Sequence, residues 1–133
     1  MYPTKFQILL SILIGIFALF VISCEHDMPQ FDEEAPRIQI ISPRSETSFE
    51  VGEQIVMELE LQENNELHEF SAVLRGQDVD TAFTIMSGHL HDAEISMQET
   101  FELPLESGTY KLTVKANDHD GNIGTESIII YSK

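Results

Sequence analysis

Gly108-Thr109-Tyr110-Lys111-Leu112-Thr113-Val114-Lys115-Ala116 alternates polar and apolar side chains. Successive side chains of a β-strand point to opposite faces, so Tyr110, Leu112, Val114 and Ala116 share one face while Lys111, Thr113 and Lys115 share the other. The same period runs through Ile55, Met57, Leu59 and Leu61, with Glu58 and Glu60 outward. Phe70, Ala72 and Leu74 repeat it against Glu69, Ser71 and Arg75, and His68 carries the same inward parity. Val73 shares the outer face there. Ile95, Met97, Phe101 and Leu103 form a further set, in which Glu99 interrupts the inner face and predicts a bulge. Ile38 and Ile40 before Ser42-Pro43 predict a first strand, Phe83 to Met86 a short one and Ile128 to Tyr131 the last. No segment of useful length carries the 3.6-residue period of an amphipathic helix.

Turn signals separate these runs: Val51-Gly52-Glu53, Arg75-Gly76-Gln77-Asp78, Ser107-Gly108 and Asp120-Gly121-Asn122. The expectation is an all-β, seven-strand Ig-like β-sandwich over residues 36–133. Tyr110, just inside the sixth strand, stands where such sandwiches place a tyrosine corner, with its hydroxyl tied back to nearby backbone.

The N-terminus reads as an address. Lys5 is the only charge before an apolar run from Phe6 to Ile22, broken by Gln7, Ser11 and Gly15. The run is marginal for a spanning helix, which needs about 20 apolar residues. It closes on Val21-Ile22-Ser23-Cys24, which resembles the lipobox of bacterial lipoproteins. That resemblance implies a signal peptide of residues 1–23, removed on export, and a lipid anchor, with palmitate, on Cys24. Glu25 stands where an aspartate would mark retention in the inner membrane, so the resemblance implies the outer membrane of the cell envelope and leaves the face open. Residues 24–35, with Glu25, Asp27, Asp32, Glu33 and Glu34, read as an acidic flexible tether.

Charge narrows the partners. The chain has seven Lys and Arg against 23 Asp and Glu, and removing Lys5 with the signal leaves a balance of −17. Nucleic acid, whose phosphates are bound by Lys and Arg, is excluded as a partner. Anionic headgroups are disfavoured in the same way, and cations are favoured. High negative charge also serves solubility alone. With Cys24 the single cysteine, no intramolecular disulfide is available and stability rests on packing.

Pro36-Arg37-Ile38-Gln39-Ile40-Ile41-Ser42-Pro43, Gly52-Glu53-Gln54-Ile55, Gly108-Thr109-Tyr110-Lys111-Leu112-Thr113-Val114 and Ala116-Asn117-Asp118-His119-Asp120-Gly121-Asn122 resemble bacterial Ig-like domains of the cadherin and fibronectin type. A lipobox, one such domain and a His-x-His before the fifth strand further resemble a family of histidine-containing Ig-like lipoproteins, which implies no particular reaction.

The histidines carry the chemistry. His68, His89, His91 and His119 fall in or beside the loops after the second, fourth and sixth strands, which gather at one pole of such a sandwich. In His89-Leu90-His91 the imidazoles sit two residues apart, on one side of an extended chain, where they can share one divalent ion. Glu66, Asp92, Asp118 and Asp120 stand close by, as oxygen ligands or as acceptors for the second imidazole N–H. Zinc suits this set, and copper or nickel would also suit imidazole. Calcium is the competing ion, ranked lower, on Glu63, Asn64, Asn65, Asp118 and Asp120.

Catalysis finds no support. There is no Gly-x-Ser-x-Gly elbow, no phosphate-cradling glycine loop and no His-Glu-x-x-His helix. The expectation is a binding module, not an enzyme, anchored to the membrane and holding a divalent metal. The alternative is a structural or adhesive envelope module that recruits a protein or glycan without metal.

Overall fold

Along Gln54–Gln62 the apolar alternation becomes burial. Ile55, Met57, Leu59 and Leu61 are at most 3% exposed, while Gln54, Val56 and Glu58 face solvent. The computed structural model describes residues 32–133; the signal segment 1–23, Cys24 and the tether residues 25–31 lie outside the described residues. Among the described residues there are strands and no helix: β1 (Arg37–Ser42), β2 (Thr47–Phe49), β3 (Gln54–Gln62), β4 (Leu67–Gly76), β5 (Ala82–His89), β6 (Glu94–Glu102), β7 (Gly108–Asp118) and β8 (Ile123–Ser132). A three-stranded sheet in the order β1-β3-β6 faces a five-stranded sheet in the order β2-β8-β7-β4-β5.

The core lies between the sheets. Met57, Leu59 and Leu61 from β3 meet Leu74, Leu112, Val114 and Ile130 from the larger sheet, all without solvent exposure. Burying a side chain of this size stabilises by about 1.5–3 kcal/mol relative to exposure, which is how a domain without a disulfide holds together. Tyr110 is fully buried at the opposite end of β7 from the histidines, and its hydroxyl donates to the Glu106 carbonyl at 2.9 Å, the expected tyrosine corner. Burial raises the Tyr110 pKa, with the nearby Glu106 and Asp78 carboxylates adding to the effect, so the hydroxyl keeps its proton.

Three local expectations change. The sandwich has an eighth strand, because the chain leaves β1 at Pro43 and lays Thr47–Phe49 parallel to β8 in the other sheet. Three residues are too few to display a period. Glu99 marks no bulge, since β3 and β6 pair in unbroken register from Gln54↔Glu102 to Gln62↔Glu94. It sits on an edge strand, where an inward parity still leaves the carboxylate exposed to water.

The third change concerns His68. β4 pairs with β7 at Leu67↔Asp118 and then at Glu69↔Asn117, so one residue, His68, is left over as a bulge. Leu67, fully buried, takes the inward position that the alternation assigned to His68. Hydrophobic burial of leucine wins over continuity of the pleat.

Replacing Tyr110 with Phe keeps the ring volume and strands the Glu106 carbonyl. Urea unfolding of Tyr110→Phe is expected to show a loss of about 1–2 kcal/mol with an unchanged m-value. An unchanged midpoint would remove the corner from the list of stabilising contacts.

Candidate metal centre at the loop pole

Four chain segments converge at one end of the sandwich: the entry before β1, and the loops β3–β4, β5–β6 and β7–β8. Backbone hydrogen bonds tie the β3–β4 and β5–β6 segments together, with Glu63 N donating to Ala93 O at 2.7 Å, Leu67 N to Asp92 O at 3.1 Å and Leu90 N to His68 O at 2.8 Å. Leu90 packs against the core, which pins the chain between His89 and His91. Gly124 lets the entry segment approach, because a Cβ there would collide with the Pro36 carbonyl.

The four histidines lie in a row. Ring centroids are 5.6 Å apart for His89 and His68, 4.5 Å for His68 and His119, and 5.8 Å for His119 and His91. The bulge is what makes this possible, since it turns the His68 ring out of the core and beside its neighbours. Two three-residue groups fall along the row, His68 with Glu69 and His89, and Glu66 with His91 and His119, each with ligand atoms within 4.8 Å of one another. The His-x-His pair is therefore divided between the two groups. His89 Nδ1 is 3.4 Å from Glu69 Oε1.

A tetrahedral zinc with Zn–N of about 2.0–2.1 Å needs ligand nitrogens about 3.3 Å apart, so each group closes by modest side-chain rotation. Both groups reach solvent, with only His68 half-buried, so this rotation meets little packing.

Asp118 is not with the imidazoles. It is 3% exposed and faces inward opposite Leu67, where its oxygens accept from Asn122 N at 2.9 Å and Asn122 Nδ2 at 2.7 Å. With Asp32 and Glu63 it forms a third group, made only of carboxylates, again within 4.8 Å. Asp32 reaches this position from the stretch read as tether, held by Asn64 Nδ2 on its Oδ1 at 3.0 Å and Asn122 Nδ2 on its carbonyl at 2.9 Å. Asp32 Oδ2 and Glu63 Oε2 are buried without a hydrogen-bond partner. Asp120 and Asp92 belong to none of the groups found among the described residues.

Half-buried Glu63 and buried Asp118 respond oppositely. Burial raises the Glu63 pKa above its ordinary 4.5, the Asn64 N–H opposes this, and the carboxylates of Asp118, Asp32 and Glu34 add to it. Burial also pushes Asp118 up, but hydrogen bonds from the Asn122 side chain and from the backbone of Asn122, Gly121 and Asp120 outweigh it and leave the pKa below 3.8.

Sequence reasoning missed Glu69 and Asp32. Glu69 pairs across the strands with His89, a register that no local pattern reveals. Asp32 is one acid among several in an acidic stretch, with nothing to distinguish it.

No protein-family model and no curated protein matches the chain. Among solved structures it is similar to the fibronectin(III)-like modules of Clostridium thermocellum CbhA, with a TM-score of 0.50 and 18% identity over 73% of this chain and 96% of that one. It is similar also to a Niemann-Pick type C2 protein from the Japanese carpenter ant, with a TM-score of 0.50 and 15% identity over 75% of this chain and 94% of that one. At these identities the likeness shows the fold, a fibronectin-type β-sandwich.

A carboxyl raised on folding stabilises the fold below its unfolded pKa and loses that contribution as pH rises through the folded value; a depressed carboxyl contributes above its unfolded pKa and loses it on acidification. Glu63 therefore opposes folding at neutral pH and Asp118 supports it. Without divalent ions, Glu63→Gln is expected to melt higher than the parent at pH 7, with the gain shrinking toward pH 4.5. A variant that melts lower at pH 7 would show the Glu63 charge to be compensated.

Proposed function

We propose that the chain is a lipid-anchored, extracytoplasmic Ig-like binding module whose loop pole holds a divalent transition metal on its imidazoles. The observation that carries this reading is the row of His89, His68, His119 and His91, in which the end of β5, the β4 bulge and the β7–β8 and β5–β6 loops place neighbouring rings 4.5–5.8 Å apart. Glu69 and Glu66 complete the two groups with an oxygen each. Zinc fits mixed nitrogen and oxygen ligands at low coordination number; copper and nickel share the preference for imidazole. The reading is of a binder and not an enzyme. Two open depressions lie on the outer face of the five-stranded sheet, and the core fills the space between the sheets.

The carboxylate group supports a second reading, a hard cation such as calcium held by Asp32, Glu63 and Asp118. Two buried oxygens without partners favour it, because a cation would satisfy both and reverse the penalty on ionised Glu63. The remaining alternative is a structural or adhesive module without metal.

Thermal unfolding of the purified protein with zinc, copper, nickel and calcium separates these readings. An ion at a hundredfold excess over its Kd is expected to add about 2.7 kcal/mol. His68→Ala with His89→Ala, and His91→Ala with His119→Ala, assign a zinc-induced gain to one end of the row or the other. If both double variants keep the full gain, the imidazole site is wrong. A calcium gain abolished by Glu63→Gln supports the carboxylate site. No gain with any ion leaves the structural module.

The anchor rests on Val21-Ile22-Ser23-Cys24. In an expressing Gram-negative cell, the parent chain is expected to incorporate labelled palmitate and to enter the detergent phase of a two-phase extraction. Cys24→Ser is expected to do neither. Palmitate labelling of Cys24→Ser at the parent level would refute lipidation at this residue.

A further inference from the structure

The outer face of the five-stranded sheet carries a charge opposite to that of the molecule. The chain has a formal charge of −16, yet Arg75, Lys111 and Lys115 project from adjacent strands on this one face, with Arg75 paired to Lys111 and Ser71 to Lys115 in the β4–β7 register. None of the three takes part in an ion pair among the described residues. With so many carboxylates in the chain, these cations are left for something else.

A trough runs past them. A depression of about 420 Å³ is lined by Ser71, Val73, Arg75, Lys111, Thr113 and Lys115. A second, of about 570 Å³, shares Ser71 and Lys115 and continues to Glu69 and His89. From Glu69 to Arg75 the strand advances by about 3.4 Å per residue, so the two together offer a track of about 20 Å. Lys111 and Lys115 are about 14 Å apart on the same basis. Between the cations lie the hydroxyls of Ser71 and Thr113, and Ser127 on β8 brings its Oγ to 3.1 Å from Thr113 Oγ1. Tyr131, opposite Thr109 in the register on β8, is 38% exposed.

We propose that this trough binds an acidic polysaccharide in extended form. Sparse cations separated by hydroxyls, with an aromatic ring on the neighbouring strand β8, match a ligand whose negative groups are separated by hydroxylated rings. The Arg75 guanidinium offers a fork for a carboxylate or sulfate, and the lysines act as point charges. The ring of Tyr131 supplies a flat, amphipathic surface. Nucleic acid fits poorly, because its phosphate charge is dense and three cations on an acidic body do not balance it. A second copy offers Glu58, Glu60, Glu94 and Glu102 on the outer face of its smaller sheet. That contact has to overcome the repulsion of two strongly negative chains. For a glycan, the acids on the far sheet matter less, since sheets stack about 10 Å apart and charges are screened over about 8 Å at physiological salt.

This inference does not rest on the metal reading, and its test is made in EDTA. Full-length chain in non-ionic detergent is titrated into fluorescein-labelled oligogalacturonate, a neutral dextran oligosaccharide of equal length and a single-stranded oligonucleotide, with fluorescence anisotropy as the readout. Binding of oligogalacturonate at least tenfold tighter than dextran is expected. Lys111→Gln with Lys115→Gln should weaken it at least tenfold, while Arg75→Lys, which keeps the charge and loses the fork, should weaken it less. The melting temperature of each variant confirms its fold, and Arg75→Gln provides an independent variant. Equal affinity for dextran, tighter binding of the oligonucleotide, or an oligogalacturonate affinity unchanged in the folded double variant would overturn the proposal. So would absence of glycan binding combined with self-association that the double variant abolishes, which would assign the face to a second copy.

Discussion

Leu67 and Asp118 form the first pair of the β4–β7 ladder, and both turn inward. The leucine is placed by hydrophobic burial, and its position forces the next residue, His68, into a bulge. The aspartate is placed by pairing with that leucine, and a carboxylate so deep in the fold must be hydrogen-bonded or neutralised. Asn122 does this with both its backbone and side-chain nitrogens, which closes the β7–β8 turn around Gly121 at a φ of 90°. That same Asn122 side chain reaches the Asp32 carbonyl and holds the incoming chain. One inward pair at the sheet's end thereby sets the bulge, the turn and the entry of the chain.

The same pair separates two kinds of chemistry. Asp118 and His119 are neighbours at the end of a strand, so the alternation that sends the carboxylate inward sends the imidazole toward the surface row. Carboxylates collect on the core side with Glu63 and Asp32, and imidazoles collect outside with His68, His89 and His91. A hard cation and a softer one would thus find separate places at one pole, a few residues apart.

Legibility followed the physics. Strands with one face in the core, such as β3 and β7, announce themselves because burial selects every second residue; Tyr110 did so with its corner as well. Convergence of the histidines was also legible, because it follows from which loops share an end. What the sequence hid was register. A single slip at Leu67/Glu69 reverses the side to which His68 points, and the slip depends on packing across β4 and β7, outside any local window. Glu69 beside His89 is hidden for the same reason. β2 escaped because its three residues gain their place from pairing with β8, and Asp32 because its partners, Asn64 and Asn122, are distant in sequence.

Charge is distributed with the same economy of position. Arg75, Lys111 and Lys115 lie at outward positions of β4 and β7, two of the three strands that contribute most to the core, so the strands that bear the packing also fix the cations rigidly. Long side chains rooted in a central ladder lose less freedom on binding than the same side chains on a loop, because their backbones are already ordered. The loop pole differs: its imidazoles are held by turns and cross-loop hydrogen bonds and reach solvent, an arrangement suited to closing around an ion. A preformed face and an adjustable pole meet at His89 and Glu69, where the outer trough ends and the histidine row begins.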